Sequence, residues 1–221
     1  HITTSKEYDS SKFYKNENGS SSWYHHSNFC ESDEIELKYK LDGLNKTNKE
    51  YLEDTNVAFI TLGTAWVYWH KEKEMVVANN LKASSNLFER RLLEVDEIFN
   101  SLKNIVSSLR KLNKDINIVF TVSPVRHSKQ GLVENNRSKA RLLEAIQQME
   151  NADNSLVYFP SYELVLDVLR DYRFYESDFV HPNKLAADYI WEYLQKHFID
   201  EKEYPLLDNL YKLKLAMAHR L

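Results

Sequence analysis

The sequence predicts an α/β fold, specifically a three-layer α/β/α sandwich around a mostly parallel central sheet. Two short apolar, β-branched runs, in "NVAFITLGTAW" and "INIVFTVSPVRH", stop at Gly63 and Pro124, as buried parallel strands do. Amphipathic helical stretches separate them, and a weaker strand candidate, Leu156 to Phe159, follows. Strands that alternate with helices of this length form right-handed crossovers, which place helices on both faces of a parallel sheet.

Residues 1–50 come first and have a different character, rich in Ser, Asn, Lys, Glu and Tyr with no sustained period. We expect a polar segment that covers the domain, with a short strand near residues 35–41. The serines at positions 20–22 follow nothing strand-like, which favours a flexible polar linker there. Residues 51–200 are then expected to form the core, and residues 201–221 a helical tail.

The two helical stretches of the core differ in length. The first, "FERRLLEVDEIFNSLKNIVSSLRKLN", carries apolar residues at three- and four-residue steps from Leu92 to Leu112, which predicts one long helix or two abutting ones. The second, "NNRSKARLLEAIQQME", has its predicted apolar face through Ala140, Leu143 and Ile146. Active sites of parallel sheets lie beyond the carboxyl ends of the strands, so Gly63 to Trp66 and Ser123 to His127 form the expected functional rim.

The composition excludes several classes of function. A formal net charge of -4 gives no general reason to expect nucleic acid as a partner. Glycine occurs only at positions 19, 43, 63 and 131, so neither a dinucleotide fingerprint nor a P-loop can be written, and we expect no cofactor. No apolar run approaches the roughly 20 residues of a membrane helix, and the single cysteine, Cys30, fits a reducing, cytoplasmic location.

The chemistry is concentrated in "SDFVHPNKLAADYIWEYL". A histidine acts as a general base toward a hydroxyl when a carboxylate holds its other ring nitrogen, and Asp178, three residues before His181, can reach that nitrogen. Pro182 is favoured in a first helical turn and would fix His181 at the start of a helix. The alternative is that Asp178 is a solvated loop acid and that His181 merely precedes the helix.

Several blocks in order resemble the GSCFA family, named for a Gly-Ser-Cys-Phe-Ala motif near its N-terminus. They are "WYHHSNF", "FITLGTAWVY", "VVANN", "FTVSPVRH", "VENNRSKARLLEAI" and "YFPSYELVLDVLRDYRFYESDFVHPNKLAADYIWE". The likeness runs from about Trp23 to Leu194, and the order of elements is that of SGNH-type hydrolases. The resemblance implies an SGNH-like fold and an esterase or acyl transferase, with acylated glycans as a candidate substrate, in which Asp178 orients His181.

The namesake motif itself is absent from these 221 residues. In the family it ends the first strand, and by analogy its serine is the nucleophile, so the resemblance implies a nucleophile outside this chain. It also implies that the strand at residues 57–62 is an open edge of the sheet. The rival hypothesis, from another class, is a catalytically silent module that binds a carbohydrate or a protein.

The remaining site residues lie on the expected rim. Gly63 in "LGTAW" resembles the SGNH block in which a Gly and a following Asn donate to the oxyanion, but this chain has Ala65 at the Asn position. The alternative is that Gly63 only turns the strand. Arg126 and His127 are candidates for binding an anionic or hydroxylated substrate. The alternative for Arg126 is a structural ion pair with Glu134 or Asp171. Four aromatic side chains are candidates either for lining a sugar or acyl groove or for packing in the core: Trp66, Tyr68, Tyr172 and Tyr175.

Two other features give weaker expectations. His25, His26 and His70 lack the spacing of a metal motif, so we expect no metal. The last helix has an apolar face through Leu206, Leu210, Leu213 and Met217. It either packs on the domain or forms a homodimer with a second copy.

Overall fold

The computed structural model describes residues 9–218, which form two compact units. The first unit combines residues 9–123 with 127–159, and the second combines 124–126 with 160–218. The α/β prediction is confirmed, since a parallel sheet flanked by helices is present. None of the described helices is both long and apolar enough to cross a bilayer.

The strands are, in chain order, β1 (Phe13–Asn16), β2 (Gly19–Ser22), β3 (Cys30–Glu31), β4 (Val57–Leu62), β5 (Trp66–His70), β6 (Met75–Val77), β7 (Phe88–Leu92), β8 (Asn117–Val122) and β9 (Leu156–Phe159). The helices are α1 (Glu34–Glu53), α2 (Val95–Leu112), α3 (Leu132–Ala152), α4 (Ser161–Glu163), α5 (Lys184–Phe198) and α6 (Tyr204–Ala218). A π-helical segment, Leu164–Leu169, directly follows α4.

The parallel sheet of the first unit has the order β4-β8-β9, and all three strands were predicted. β8 is central and is buried from Ile118 to Val122, as its continuous apolar sequence requires. β4 alternates between exposed and half-buried residues, and Val57 remains 46% exposed. Among the described residues β4 has a strand neighbour on one side only, as expected for an edge strand.

Helices α2 and α3 pack on each other beside this sheet. α2 begins where the Glu97 carboxylate accepts a hydrogen bond from Glu94 N (2.9 Å), and it buries one apolar face. The apolar helical face predicted from Leu92, on one long helix or two abutting ones, was wrong at its start, because Leu92 belongs to β7 and pairs with Trp66. The face predicted for α3 was also displaced. The residues that α3 buries are Asn135, Ser138, Lys139, Leu142, Ala145, Ile146 and Met149.

The N-terminal part is more ordered than predicted. β1 and β2 form an antiparallel hairpin that contains the serines at 20–22, so a strand does precede and include them. Residues 35–41 lie in α1 rather than in a strand. Asp33 caps α1, since its Oδ1 accepts from Ile35 N (2.8 Å) and Glu36 N (2.9 Å), and Leu37 and Leu41 bury one face.

A third, antiparallel sheet of order β6-β5-β7 completes the first unit. One face of it builds a small aromatic core around Trp23, Val77 and Phe88, against which Tyr68 packs. His70 is buried in this core, with its ring 5.0 Å from that of Trp23. Tyr68 therefore serves packing rather than a surface groove.

The second unit contains α4, the π-helical segment, α5 and α6. Its final helix, α6, was predicted, and its apolar residues are largely exposed. The exposed fractions are 54% for Leu206, 51% for Leu210, 57% for Leu213 and 64% for Met217. Within the part of the second unit that the structure describes, α6 thus offers an apolar face to its surroundings.

Candidate functional site

Asp178 and His181 form a hydrogen-bonded pair on a tight loop, the Asp-His loop (residues 176–183). Asp178 Oδ1 accepts from Val180 N (2.8 Å) and His181 N (3.0 Å), which is an Asx-turn. Phe179, between them, has a φ of 56° in the left-handed region. The second carboxylate oxygen, Oδ2, lies 2.6 Å from His181 Nδ1. The predicted hydrogen bond is therefore confirmed, with one oxygen shaping the loop and the other holding the ring.

The Asp-His loop is closed by bonds at its C-terminal end. Asn183 caps α5, because its Oδ1 accepts from Ala186 N (3.2 Å), and its Nδ2 donates to Arg173 O (2.7 Å) and Tyr175 O (3.2 Å). Pro182 lies before this cap, where it forms an isolated antiparallel bridge with Tyr175, rather than in the first helical turn as predicted. The return of the chain into α5 is thus fixed by the side chain of Asn183.

The electrostatics of the pair favour an ionised Asp178. The His181 side chain donates to its carboxylate, as do the backbone N–H groups of His181 and Val180, and together they lower the pKa of Asp178 to about 2. An Nδ1–H that donates to a carboxylate leaves Nε2 of a neutral ring as an acceptor. Within the described part of the second unit, the His181 ring makes no other hydrogen bond. The side chain of His181 is 59% exposed, so this nitrogen can meet a ligand.

Arg126 and Tyr175, both predicted site residues, lie together beside this loop in the second unit. Arg126 N donates to Val180 O (3.2 Å), and Arg126 Nη1 donates to Phe179 O (3.2 Å). The guanidinium carbon lies 4.4 Å from the ring centroid of Tyr175 and 5.4 Å from that of Tyr172. Arg126 is therefore held by carbonyls and aromatic rings.

The acids proposed as structural partners of Arg126 are engaged elsewhere. Glu134 forms an ion pair with Arg137, and Asp171 forms one with Arg173 at 3.0 Å. The structural alternative for Arg126 was therefore wrong in its choice of partners.

Gly63 and His127 lie next to each other in the first unit. His127 Nε2 is 3.6 Å from the position that a Cβ would take at Gly63, an ordinary van der Waals distance. Trp66 begins β5, and the Arg90 guanidinium lies 6.0 Å from its ring. The Trp66 indole nitrogen is buried without a hydrogen-bond partner among the described residues. Of the three predicted rim residues in this unit, Gly63 and His127 thus lie side by side.

A row of buried polar side chains on α3, the α3 polar row (Asn135, Ser138 and Lys139), was missed. Asn135 Oδ1 accepts from His127 N (2.9 Å), and Ser138 Oγ accepts from Ala65 N (2.7 Å). The signal was present, because these positions continue the stripe of Leu142, Ile146 and Met149 at helical spacing. It was overlooked because the apolar face of α3 was predicted at other positions, which assigned these polar residues to the surface.

Lys139 holds the ends of two parallel strands together. Its Nζ donates to Gly63 O (2.6 Å), just after β4, and to Ser123 O (2.5 Å), just after β8. The side chain is 1% exposed, and burial lowers the pKa of Lys139 to about 8. The α3 polar row therefore fixes both segments that leave the carboxyl edge of the sheet. It also occupies Ala65 N, which donates to Ser138 Oγ.

Other histidines have local roles. His25 Nδ1 lies 2.9 Å from Ser22 Oγ, and His26 Nδ1 accepts from Asn28 N at 3.2 Å. Over residues 9–218, no three His, Cys, Asp or Glu side chains are grouped as a metal site would require.

Comparison with known proteins gives one match. No curated protein and no solved structure matches the chain. The model of the GSCFA family matches residues 1–194, which include the α3 polar row and the Asp-His loop. The chain therefore belongs to the GSCFA family.

Proposed function

We propose that this GSCFA chain is an esterase or acyl transferase whose Asp178–His181 pair activates a serine hydroxyl. The observation that carries the proposal is the 2.6 Å contact between Asp178 Oδ2 and His181 Nδ1 on an exposed, capped loop. A buried structural histidine would have its second nitrogen engaged by the protein. Here the carboxylate orients the ring, and the ring is open to a ligand.

The proposed reaction follows from that orientation. His181 Nε2 takes the proton of the serine hydroxyl as its oxygen attacks the ester carbonyl carbon. Asp178 stays ionised and stabilises the imidazolium. The imidazolium then gives the proton to the departing alcohol oxygen, leaving an acyl-serine. Water or an acceptor hydroxyl, deprotonated by the same nitrogen, attacks the acyl carbonyl carbon. The bond to the serine oxygen then breaks, and the imidazolium returns its proton to that oxygen.

The serine in this proposal is that of the Gly-Ser-Cys-Phe-Ala motif, which the 221 residues do not contain. Gly63 remains the proposed backbone contribution to the oxyanion site. Ala65 N is unsuited to it, since Ser138 Oγ already accepts its proton. Arg126, His127, Trp66 and Tyr175 are the proposed substrate-binding residues, with an acylated glycan as the proposed substrate.

The test uses a longer chain that includes the family motif, compared with the 221-residue chain. The longer chain should hydrolyse p-nitrophenyl acetate and be labelled by a fluorophosphonate at the motif serine, and the shorter chain should do neither. His181→Ala should lower the rate by about 10³-fold or more, and Asp178→Asn should lower it strongly through the wrong tautomer.

Matched controls come from the exposed surface of α5. His197→Ala and Asp188→Asn remove the same side-chain types without touching the Asp-His loop, and should leave the rate unchanged. Full activity after both loop substitutions would contradict the catalytic role. A longer chain that is inactive and unlabelled would instead support the binding module, for which glycan or protein binding becomes the assay.

The homodimer is a separate proposal, motivated by the exposed apolar face of α6. A second copy could cover Leu210 and Leu213, which are 51% and 57% exposed. Sedimentation velocity should show a dimer that Leu210→Lys dissociates. A monomer at all concentrations would contradict it.

A further inference from the structure

A small cavity lies within the second unit, beside the π-helical segment. It has a volume of about 130 Å³ and is lined by Arg126, Arg170, Asp171, Tyr172 and Tyr175 together with apolar residues of that segment. Whole drug-sized ligands need roughly 300–1,000 Å³. The cavity therefore fits one small group of a ligand.

The charges that face the cavity are not balanced. Arg126 and Arg170 bring two guanidinium groups, and Asp171 brings one carboxylate. That carboxylate is already engaged, because Asp171 Oδ2 accepts from Arg173 Nη2 (3.0 Å) and Oδ1 accepts from Arg173 N (2.8 Å). Arg170 makes no side-chain hydrogen bond to any described residue. Two guanidinium groups with unused donors favour an anion.

A buried hydroxyl points to the same chemistry. Tyr175 is 8% exposed, and its hydroxyl proton has no acceptor among the described residues, while the Arg126 guanidinium lies beside its oxygen. Burial raises the pKa of Tyr175, so the phenol keeps its proton and can donate it in a hydrogen bond. Buried hydroxyls are nearly always paired, and an unpaired one needs a reason. An anionic oxygen in the cavity would supply the missing acceptor.

The backbone around Arg170 is unusual as well. Arg170 has a φ of 52°, a left-handed conformation that a residue with a side chain rarely adopts. It ends the π-helical segment, where Arg170 N donates to Val165 O (3.1 Å). Single π-helical turns occur often at functional sites. The strained turn places the Arg170 side chain along the cavity.

We propose that this cavity binds one oxyanion group, a carboxylate or a phosphate, of the ligand that meets the Asp-His loop. The loop and the cavity share Arg126, whose Nη1 and N bind Phe179 O and Val180 O. As a statement about substrate the inference rests on the proposed function, and it specifies an ester that carries an anionic group. As a statement about binding it stands on the cavity alone.

The first test titrates the 221-residue chain with acetate and, separately, with inorganic phosphate at constant ionic strength. The NMR signals of the backbone amides and of the arginine Nε–H groups report binding. Saturable shifts around Arg170 and Tyr175 are expected, with dissociation constants on the order of millimolar. The two anions distinguish a carboxylate from a phosphate. Arg170→Gln should weaken binding by about tenfold or more, whereas Arg137→Gln, with the same charge change elsewhere, should not.

NMR shifts that do not saturate with either anion would overturn the proposal. An equal loss of anion affinity in Arg170→Gln and Arg137→Gln would overturn it as well. Because no nucleophile is needed, this result is independent of the esterase assay. If binding is found and esterase activity is not, the site stands and the proposed function fails.

The second test uses Tyr175→Phe. Removing an unpaired buried hydroxyl should leave the melting temperature unchanged or raise it, while weakening anion binding by about tenfold. A lower melting temperature with unchanged anion affinity would show that the hydroxyl serves the fold instead, and would overturn its part in the site.

Discussion

The α3 polar row and the Asp-His loop are both built from polar side chains, yet they differ in what those side chains meet. Asn135, Ser138 and Lys139 are at most 4% exposed and bond to backbone groups of their own unit. Asp178 and His181 are 46% and 59% exposed and bond chiefly to each other and to their own turn. The first arrangement stabilises a rim. The second leaves a nitrogen available for chemistry.

This difference predicts that the α3 polar row matters most for stability. Lys139→Met leaves the half-buried carbonyl oxygens of Gly63 and Ser123 without their ammonium donor, and should lower the free energy of unfolding by about 2–4 kcal/mol. Urea denaturation measures it. Lys103→Met, on the exposed face of α2, is the control and should stay within about 0.5 kcal/mol. An equally small loss of unfolding free energy in Lys139→Met and Lys103→Met would contradict the stabilising role of the α3 polar row.

The stability contributed by Lys139 should also depend on pH. The pKa of Lys139 in the folded protein is about 8, below the ordinary lysine value of 10.5, so between these two pH values the unfolded chain binds more protons. Stability relative to Lys139→Met should therefore rise as the pH increases through this window. Denaturation of both proteins at pH 7.5 and 10 measures the difference. A constant or falling difference would contradict the buried charge.

Ser138→Ala should have a smaller effect. It removes the acceptor of Ala65 N and a 3.0 Å contact with Thr64 Oγ1, for a loss of about 1–2 kcal/mol. Ser107→Ala on the exposed side of α2 is the matched control. If Ser138→Ala is as harmless as the control, the rim does not depend on this hydroxyl.

Asp178→Asn should have the smallest effect on stability, because its side-chain oxygen can still accept from Val180 N and His181 N. In the folded protein the pKa of Asp178 is about 2, below the ordinary aspartate value of 3.8. The advantage of wild type over Asp178→Asn should thus be present above about pH 4 and disappear as the pH falls toward 2. Thermal melts at pH 6 and 2.5 compare them. An advantage that grows in acid would be inconsistent with an ionised, hydrogen-bonded Asp178.

The sequence predicted the parts of the fold that follow from local pattern. β4, β8 and β9 were found from short apolar runs, since buried parallel strands are continuous in hydrophobicity. The bond between Asp178 and His181 was found because its two residues are three apart and the loop between them is short. The open edge of β4 followed from the family resemblance.

Other parts depend on contacts that are distant in sequence. α1 was missed although Asp33 is a clear helix cap, because its apolar residues do not follow one face: Leu37 and Leu41 are buried, whereas Ile35, Tyr39 and Tyr51 are exposed. From the sequence alone, the polar side chains of the α3 polar row are expected on the surface. Their burial depends on hydrogen-bond partners that lie 8 to 76 residues away in the sequence. The cavity at Arg170 depends on a residue in the left-handed conformation and on a π-helical turn. The spacing of hydrophobic residues in the sequence predicts neither of them.

The central claim, that Asp178 holds His181 in the tautomer of a general base, can be measured on the 221-residue chain. Nitrogen NMR of the neutral His181 ring should show Nδ1 protonated and Nε2 unprotonated, and Asp178→Asn should move the proton to Nε2, because an amide can donate to Nδ1. The account predicts this exchange of tautomers. A ring already protonated at Nε2 in the wild type, or one that Asp178→Asn leaves unchanged, would contradict it.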